Sequence, residues 1–447
     1  MKTKIVAVLL KLRLRLQAKA VRFKQTYLVI LSPERGAGVL YKGALEAAKS
    51  VQILKAMKPT TINISRKGAE RARAGHLWIY RSDVLDTPED AAGGSVVQVR
   101  DERGRFVVGA LYSDRSQIAL RLLTWREDAI DRDWWRERLR ASIARRAGLE
   151  READAFRLVY AEGDVLPSLI IDRYADVLVL QTLSQGTDAL KGMFVELLVE
   201  LLNPRAVIER NDVRVRALEG LPLTAGVVYG DNTPEELEVT QHGTRFRLAP
   251  LGGQKTGAFL DQRENHLAAR RHAHGRALDC FTFNGAFALH MAHTCEIVIG
   301  LDISAEAVAA SRRNAELNNL TNVEFREANV FDALREMQDA GERFDTIVLD
   351  PPAFAKNRAS VRAAARGYKE INLRALKLLN LGGTLITCTC SYHMTEPQFH
   401  EVIAEAAADA RRRLQIVERR IQASDHPVLV GVPETLYLKC VIARAVD

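Results

Sequence analysis

After residue 57, hydrophobic and polar positions alternate in short runs that are typical of strands. The alternation predicts four strands, over residues 61–64, 95–99, 106–110 and 117–121. The turn signals Gly93-Gly94 and Arg103-Gly104 stand between them. We therefore expect a small β-rich domain over residues 58–128.

Residues 129–245 mix helical and strand spacing. Within the charged segment 133–147, Trp135, Leu139 and Ile143 recur at the interval of a helix. A second helix is predicted near residues 187–202, and strands are predicted over residues 168–171, 177–181 and 206–209. This mixture predicts a compact central α+β domain.

Residues 246–447 alternate apolar strands with helical stretches. The predicted strands cover residues 277–281, 297–302, 323–327, 345–350 and 384–388, with helices such as 305–317 between them. Regular alternation of this kind predicts parallel β-α-β units and a doubly wound α/β sheet.

The ends of these strands predict a ligand site, because open parallel sheets bind ligands outside the carboxyl ends of their strands. The first strand contains Asp279 and enters a loop through Phe281. Gly285 in that loop lets the backbone approach a ligand just before a helix begins. The second strand ends at Asp302, whose carboxylate can accept hydrogen bonds from both hydroxyls of a ribose. Near the end of the third strand, Asn329 carries an amide that can read an adenine edge.

The fourth strand ends in Asp350-Pro351-Pro352. The chain lacks the G-x-G-x-x-G pattern that cradles the pyrophosphate of a nicotinamide cofactor. A single glycine followed by an acidic residue instead favours S-adenosylmethionine, which has no pyrophosphate. The sequence therefore predicts a methyltransferase domain.

Charge is distributed unevenly along the chain. Residues 1–58 carry thirteen Lys or Arg against Glu34 and Glu46, so the rest of the chain has a net charge of −3 although the total is +8. RNA affinity in the main body must then come from local patches. The basic extension 1–57 is interpreted as a poorly ordered segment, a basic RNA-binding arm or the product of a misassigned start before Met57.

The cysteines of the chain do not have the pattern of a disulfide framework or of a zinc site. Their number is five and no pair has C-x-x-C spacing, so neither a disulfide framework nor a zinc ribbon is indicated. We expect no metal and no membrane segment, and we expect a reducing cytoplasmic location.

Three motifs resemble the bacterial large-subunit rRNA cytosine-C5 methyltransferase I family. They are the segments DCFTFNGAF at 279–287, DPPAFAK at 350–356 and TCTCS at 387–391. The resemblance covers about residues 58–447 and extends to GHLWI at 75–79, EGDVLPSL at 162–169 and KTGAFLDQR at 255–263. Ser168 departs from the family, which often has Gly there, and residues 1–56 have no counterpart.

The resemblance implies an N-terminal PUA domain, a central α+β domain and a class I (Rossmann-like) methyltransferase domain acting on 23S rRNA with S-adenosylmethionine. The residues expected to bind the cofactor are Lys255, Thr256, Gly257, Asp261, Arg263, Asp279, Phe281, Gly285, Asp302, Asn329 and Asp350. The residues expected to bind the substrate are Pro351, Pro352 and Phe354 in the site and the basic residues Arg66, Lys67, Arg71 and Arg73 in the PUA-like domain.

Methylation at cytosine C5 requires a thiolate that adds to C6 and makes C5 nucleophilic. Cys388 and Cys390 would share one strand face, and Cys390 is nearer the carboxyl end. Cys390-Ser391 also matches the catalytic pair of the family, so Cys390 is the predicted nucleophile. Ala353 stands where some other RNA cytosine methyltransferases have a second cysteine, which leaves Asp350 as the candidate base.

Two other functions stay open on the sequence. Asp-Pro-Pro loops also serve RNA guanine N-methyltransferases, which need no thiol. A non-catalytic RNA-binding factor in ribosome assembly could also retain this fold. Monomer and homodimer are both compatible with the sequence.

Overall fold

The computed structural model describes residues 60–230, 235–251, 258–355 and 357–446. The extension 1–57 and three predicted cofactor residues, Lys255, Thr256 and Gly257, lie outside the described residues. Residues Thr60–Asp447 belong to one compact unit that contains three large sheets.

The first sheet is built from six strands around helix α1 (Arg66–Arg73). The strands are β1 (Thr61–Ile64), β2 (Trp78–Tyr80), β3 (Val84–Asp86), β4 (Val96–Asp101), β5 (Phe106–Tyr112) and β6 (Ile118–Thr124). Their spatial order is β2-β6-β5-β4-β1-β3, and only β1 and β4 run parallel. All four predicted strands are confirmed. The alternation did not predict β2 and β3, because three residues are too few to establish a period.

The second sheet also follows the predicted α+β mixture. Its strands are β7 (Ala155–Tyr160), β8 (Leu169–Tyr174), β9 (Val177–Thr182), β10 (Ala206–Arg210) and β11 (Ala225–Tyr229), in spatial order β11-β10-β9-β8-β7. Its helices are α2 (Arg132–Arg145), α3 (Gln185–Ala189) and α4 (Lys191–Leu202). The single helix expected near 187–202 is therefore two helices, which separate where Leu190 leaves the helical conformation.

A hairpin follows, formed by β12 (Leu237–Gln241) and β13 (Thr244–Leu248). The sequence placed a domain limit at residue 245, which falls inside β13. Val239 and Phe246 of the hairpin belong to a buried cluster that also contains Ala155 of the second sheet and Leu289 of the last domain. The hydrophobic core is thus continuous across this limit.

The third sheet is the doubly wound α/β sheet that the sequence predicts. Its strands are β14 (Arg276–Cys280), β15 (Ile297–Asp302), β16 (Val323–Glu327), β17 (Phe344–Leu349), β18 (Leu379–Thr389), β19 (Leu414–Arg420) and β20 (Lys439–Ala445). Its helices are α5 (Arg263–His272), α6 (Ala286–Met291), α7 (Ala305–Leu317), α8 (Val330–Asp339), α9 (Val361–Leu378) and α10 (Glu396–Asp409).

The strand order β16-β15-β14-β17-β18-β20-β19 reverses direction between β14 and β17. Strands β14 to β18 run parallel, whereas β20 is antiparallel to β18. Ligands in such sheets bind at the carboxyl ends of the strands on either side of the reversal. We therefore expect the ligand site in the loops after β14, β15, β17 and β18.

One segment, residues 421–438 between β19 and β20, touches all three sheets. Val432 is fully buried in the core of the first sheet. The Asp425 carboxylate accepts a 2.8 Å hydrogen bond from the backbone N–H of Arg157 in β7, and the Tyr437 hydroxyl donates to Asp261 at 2.5 Å. Within the part of the chain that the structure describes, no helix is long and apolar enough to cross a membrane.

Candidate active site at the carboxyl edge of the third sheet

The loop after β14 has an unusual backbone. Phe281, Phe283 and Gly285 all have positive φ, at 66°, 51° and 86°. Such values are rare for bulky residues and concentrate where a loop meets a ligand. At Gly285 a Cβ atom would come within 3.1 Å of Phe325 and 3.2 Å of Ser311, so both conformation and space require glycine.

Asp279 holds this loop in place. Its Oδ2 accepts hydrogen bonds from the Thr282 hydroxyl at 2.6 Å and from the backbone N–H of Ala288 at 3.0 Å. Burial raises the pKa of Asp279 to about 7; these two hydrogen bonds oppose the rise, and the nearby charges of Asp350 and Asp302 add to it. Asp302 and Asp350 therefore lie close enough to Asp279 to disfavour its charged form.

Asp302 ends β15 beside the same loop. Its two oxygens accept 2.9 Å hydrogen bonds from the backbone N–H groups of Phe283 and Ser304. A carboxylate offers about four acceptor positions, so each oxygen can accept a further bond. The residue combines a fixed orientation with acceptor capacity, as ribose binding requires.

Polar side chains with identified hydrogen-bond partners also follow β16 and β17. The Asn329 side chain caps α8 by accepting from the backbone N–H of Phe331 at 3.0 Å, which leaves its NH₂ group exposed. Asp350 follows β17 and accepts from the Gln262 side chain at 2.9 Å. The structure thus brings together the predicted residues Asp279, Phe281, Gly285, Asp302, Asn329 and Asp350 along one sheet edge.

These residues fit S-adenosylmethionine on their chemistry. The cofactor carries a sulfonium and an ammonium, and the carboxylates of Asp302 and Asp350, joined by Asp279 when it ionises, make this edge negative. Oδ1 of Asp279 is buried without a hydrogen-bond partner among the described residues, as expected where a polar group awaits an outside partner. The tight turn at Gly285 allows the backbone to come close to a bound cofactor.

The two cysteines at the end of β18 have different surroundings. Cys388 is buried opposite Cys440, and the contact with Cys440 followed by burial raises the pKa of the Cys388 thiol well above its usual value. Cys390 lies just past the strand, is partly exposed, and donates from its thiol to the Pro351 carbonyl at 3.9 Å. Cys390 is the residue that reaches the Asp-Pro-Pro loop.

Ser391 ties the cysteine loop to the Asp-Pro-Pro loop. Its hydroxyl oxygen accepts from the backbone N–H of Ala355 at 3.1 Å and lies 3.0 Å from the Tyr368 hydroxyl. Tyr368 is fully buried on α9 and also accepts from the Thr389 hydroxyl at 2.8 Å. The two loops are therefore fixed to one helix.

Lys439 is a buried cation beside this loop. Its ammonium donates to the carbonyls of Ser391 at 3.3 Å and Tyr437 at 3.2 Å. Burial lowers the pKa of Lys439 to about 8, and the neighbouring Cys390 and Glu396 oppose that change. A lysine that is only 6% exposed is rare unless it is paired or functional.

Several predicted site residues have partners within the protein. Arg263 is fully buried and pairs with Asp425 and Glu264 at 3.4 and 3.3 Å. Asp261 is buried and accepts from Tyr437. Pro351 is buried and Pro352 exposed. Phe354 is half-buried, and its ring centroid lies 4.7 Å from that of Tyr368.

The predicted basic cluster of the first sheet is largely compensated. Arg66 pairs with Glu70 at 2.8 Å, Arg71 with Asp83 at 3.2 Å and Arg73 with Asp101 at 2.8 Å. Lys67 is exposed and forms no ion pair with a described residue. The cluster carries less free charge than its sequence indicates.

Gln262, Tyr368 and Lys439 belong to the site but were not singled out from the sequence. Gln262 lies within the motif KTGAFLDQR at 255–263, but its contact with Asp350 was not predicted. Tyr368 and Lys439 stand in ordinary helix and strand patterns, and only the pairing of Lys439 with Thr389 across β18 and β20 reveals its position.

Comparison with known proteins agrees with this architecture. Residues 62–125 match a PUA-like domain, and residues 222–442 match an S-adenosylmethionine-dependent methyltransferase domain. The chain has the fold of a putative methyltransferase solved in complex with SAH, at a TM-score of 0.75 and 19% identity over 86% of this chain and all of that one. A putative SAM-dependent methyltransferase from Streptococcus mutans gives a TM-score of 0.73 at 20% identity, over the same shares of the two chains.

Close relatives carry a single name. "Ribosomal RNA large subunit methyltransferase I" of Erwinia tasmaniensis is 39% identical over 86% of this chain and 99% of its own length. The protein of that name from Klebsiella pneumoniae strain 342 is 41% identical over 83% and 95%. The cofactor is accordingly S-adenosylmethionine. Relatives that match over nearly their whole length show that the chain belongs to the ribosomal RNA large subunit methyltransferase I family.

Proposed function

We propose that this protein methylates C5 of a cytosine in 23S rRNA, with Cys390 as the nucleophile. The relatives' name supports a large-subunit rRNA substrate. The choice of C5 rests on one observation: a partly exposed cysteine stands at the carboxyl edge of the sheet, in contact with the Asp-Pro-Pro loop. Methyl transfer to an exocyclic or ring nitrogen needs no such thiol.

The residues of the chain can carry out the covalent steps. The Cys390 thiolate forms a bond to C6 of the cytosine, which makes C5 electron-rich. Bound S-adenosylmethionine supplies the electrophilic methyl group that C5 takes up. A base then removes the C5 proton, the C6–S bond breaks and its electron pair returns to sulfur. Asp350, held by Gln262, is our candidate for this base.

Lys439 favours the thiolate that these steps need. Its ammonium lies close enough to Cys390 for their charges to interact, and its two carbonyl partners fix it in place. A cation beside a cysteine stabilises the thiolate over the thiol. The same cation stabilises the sulfur again when it leaves C6.

The remaining predicted residues take supporting roles in this proposal. Asp302, Asn329 and the Gly285 turn bind the ribose and adenine of the cofactor, and the Asp-Pro-Pro loop with Phe354 borders the base. The target base must leave its stack to reach Cys390. Residues 58–128 are proposed as the RNA-binding PUA-like domain, with exposed Lys67 among its contacts.

The test is covalent trapping on 23S rRNA fragments that contain 5-fluorocytosine. Fluorine at C5 cannot be removed as a proton, so the enzyme–RNA adduct persists. Wild type and Cys388→Ser should form the adduct, and Cys390→Ala should not. An adduct in Cys390→Ala would assign the nucleophile elsewhere.

Mass spectrometry of methylated rRNA separates the other candidates. A methylguanine product without any adduct would identify an RNA guanine N-methyltransferase. RNA binding without a methylated product, at saturating cofactor, would identify a non-catalytic assembly factor.

A further inference from the structure

Three exposed arginines recur at every fourth residue where α9 begins. Arg358 lies in the turn before the helix, and Arg362 and Arg366 follow on its first turns. Residues four apart lie on one face of a helix, about 6 Å from one to the next. None of the three forms an ion pair with a carboxylate in the described part of the chain, whereas Lys369 and Arg374 further along α9 do.

Such a row is unfavourable for the helix itself. Like charges four residues apart destabilise a helix. The structure offers no compensating acidic partner among the described residues. An anionic partner from outside would remove this repulsion.

The same helix is anchored to the proposed active site. Its opposite face buries Tyr368, which contacts Thr389 and Ser391 on either side of Cys390. The arginine face is therefore held at a fixed offset from the nucleophile.

An exposed aromatic residue, Tyr392, follows the proposed nucleophile closely in the chain. Tyr392 stands two residues after Cys390, and 39% of its surface is exposed. Partial burial raises the pKa of Tyr392, with Glu434 and Tyr80 adding to the rise and Arg358 opposing it. Arg358 and Tyr80 therefore lie within electrostatic range of Tyr392. The Arg71 guanidinium covers the ring of Tyr80 at 4.7 Å.

We propose that RNA reaches Cys390 as a single strand, which lies across Tyr80 and Tyr392 and continues along Arg358, Arg362 and Arg366. We call these five residues the strand track. The inference rests on the proposed function and adds the form of its substrate. Guanidinium groups bind phosphates, and tyrosines such as exposed Tyr392 and half-buried Tyr80 can stack on unpaired bases, which is the combination that single-stranded RNA fits. A base in a duplex would be stacked and out of reach of the thiol.

The test measures binding of the full chain to a labelled single-stranded RNA and to a duplex RNA of the same length, over a series of KCl concentrations. The triple variant Arg358→Gln/Arg362→Gln/Arg366→Gln is compared with Arg151→Gln/Arg214→Gln/Arg247→Gln. The second triple removes the same charge from three exposed arginines elsewhere that form no ion pair with a described residue.

For the track triple, the slope of log affinity against log salt should fall by about 2, since each single-strand phosphate contact contributes about 0.7. The control triple should keep the wild-type slope. Tyr392→Ala should weaken single-strand binding about fivefold or more without changing the slope. Thermal unfolding checks that all variants fold.

Equal slopes for the two triples, or an equal loss of duplex binding, would overturn the track. The RNA-binding measurement does not depend on which nucleotide the enzyme methylates, so the two proposals can fail separately. A methylguanine product combined with a lowered slope would refute C5 methylation and leave the track standing. A C5 product combined with equal slopes would do the reverse.

Discussion

Lys439 donates a hydrogen bond to the backbone carbonyl of Ser391, the residue after the proposed nucleophile. The two residues come from adjacent antiparallel strands, because Lys439 pairs with Thr389 at the start of β20. A buried lysine is thus built into the sheet at the position where the proposed mechanism uses a thiolate.

Replacing Lys439 should change the reactivity of Cys390 in the absence of RNA or cofactor. Cys390 is the one cysteine of the five that is not buried, so iodoacetamide should label it selectively. In Lys439→Met the pH midpoint of labelling should rise by about 1 unit or more, because an opposite charge is lost. Lys439→Arg should restore the wild-type midpoint.

Lys369→Met serves as the control for that experiment, since Lys369 pairs with Glu405 and Asp409 on the helix surface. Peptide mass spectrometry gives the labelled fraction of Cys390. Identical midpoints in Lys439→Met and wild type would contradict the proposed role.

Cofactor binding should release a proton near neutral pH. Burial raises the pKa of Asp279 to about 7, so the free protein holds much of this carboxyl in its neutral form. A bound cation favours the carboxylate and lowers that pKa. Affinity should therefore rise with pH from about 6 to 8. Calorimetry in buffers of different ionisation enthalpy measures the released proton, and Asp279→Asn should abolish it. Undiminished release in Asp279→Asn would place the proton on another group.

The raised pKa of Asp279 also determines how the folding stability of the protein changes with pH. The folded state binds the Asp279 proton more tightly than the unfolded chain does. The stability that the neutral carboxyl contributes is present at acid pH and is lost as the pH rises through about 7.

Asp302→Ala should weaken S-adenosylmethionine binding. Each hydrogen bond to a charged group contributes about 1.5–3 kcal/mol, which corresponds to at least a tenfold loss of affinity. Glu306→Ala, an exposed acidic residue in the next helix, is the control. Equal cofactor affinity in the two variants, measured by calorimetry, would remove Asp302 from the site.

Arg263→Ala should reduce stability and leave the cofactor affinity of the folded protein unchanged. Burial alone would raise the pKa of Asp425, but His426 and Arg263 hold it well below its usual range. Removing Arg263 takes the guanidinium away from that buried charge and leaves His426 as its remaining basic partner, at a cost of about 3–5 kcal/mol. Arg271→Ala, at an exposed pair with Glu418, should cost about 1 kcal/mol or less. Urea unfolding compares the two, and weaker cofactor binding at unchanged stability would restore Arg263 to the cofactor site.

The strand ends at Asp279, Asp302 and Asp350 were predictable because parallel strands place their carboxyl ends on one edge, whatever the loops do. The partners of Arg263 and Asp261 were not predictable, because a sequence motif says nothing about burial, and both side chains contact residues from the segment 425–437.

Ion pairs and hydrogen bonds between residues far apart in the chain could not be predicted from the sequence. Asp83 and Asp101 neutralise Arg71 and Arg73 from 12 and 28 residues away, and Lys439 reaches its loop from 48 residues away. Helical and strand periods describe neighbours within a few positions, so they carry no information about such partners.

The buried position of Val432 has a consequence for biosynthesis. The core around Ile62 and Ile64 is completed by Val432, which follows Ile62 by 370 residues in the chain. During translation part of the core of the first sheet therefore stays uncovered while the two later sheets are being synthesised. The first sheet is made before the other two but can complete its core only after most of their residues have been added.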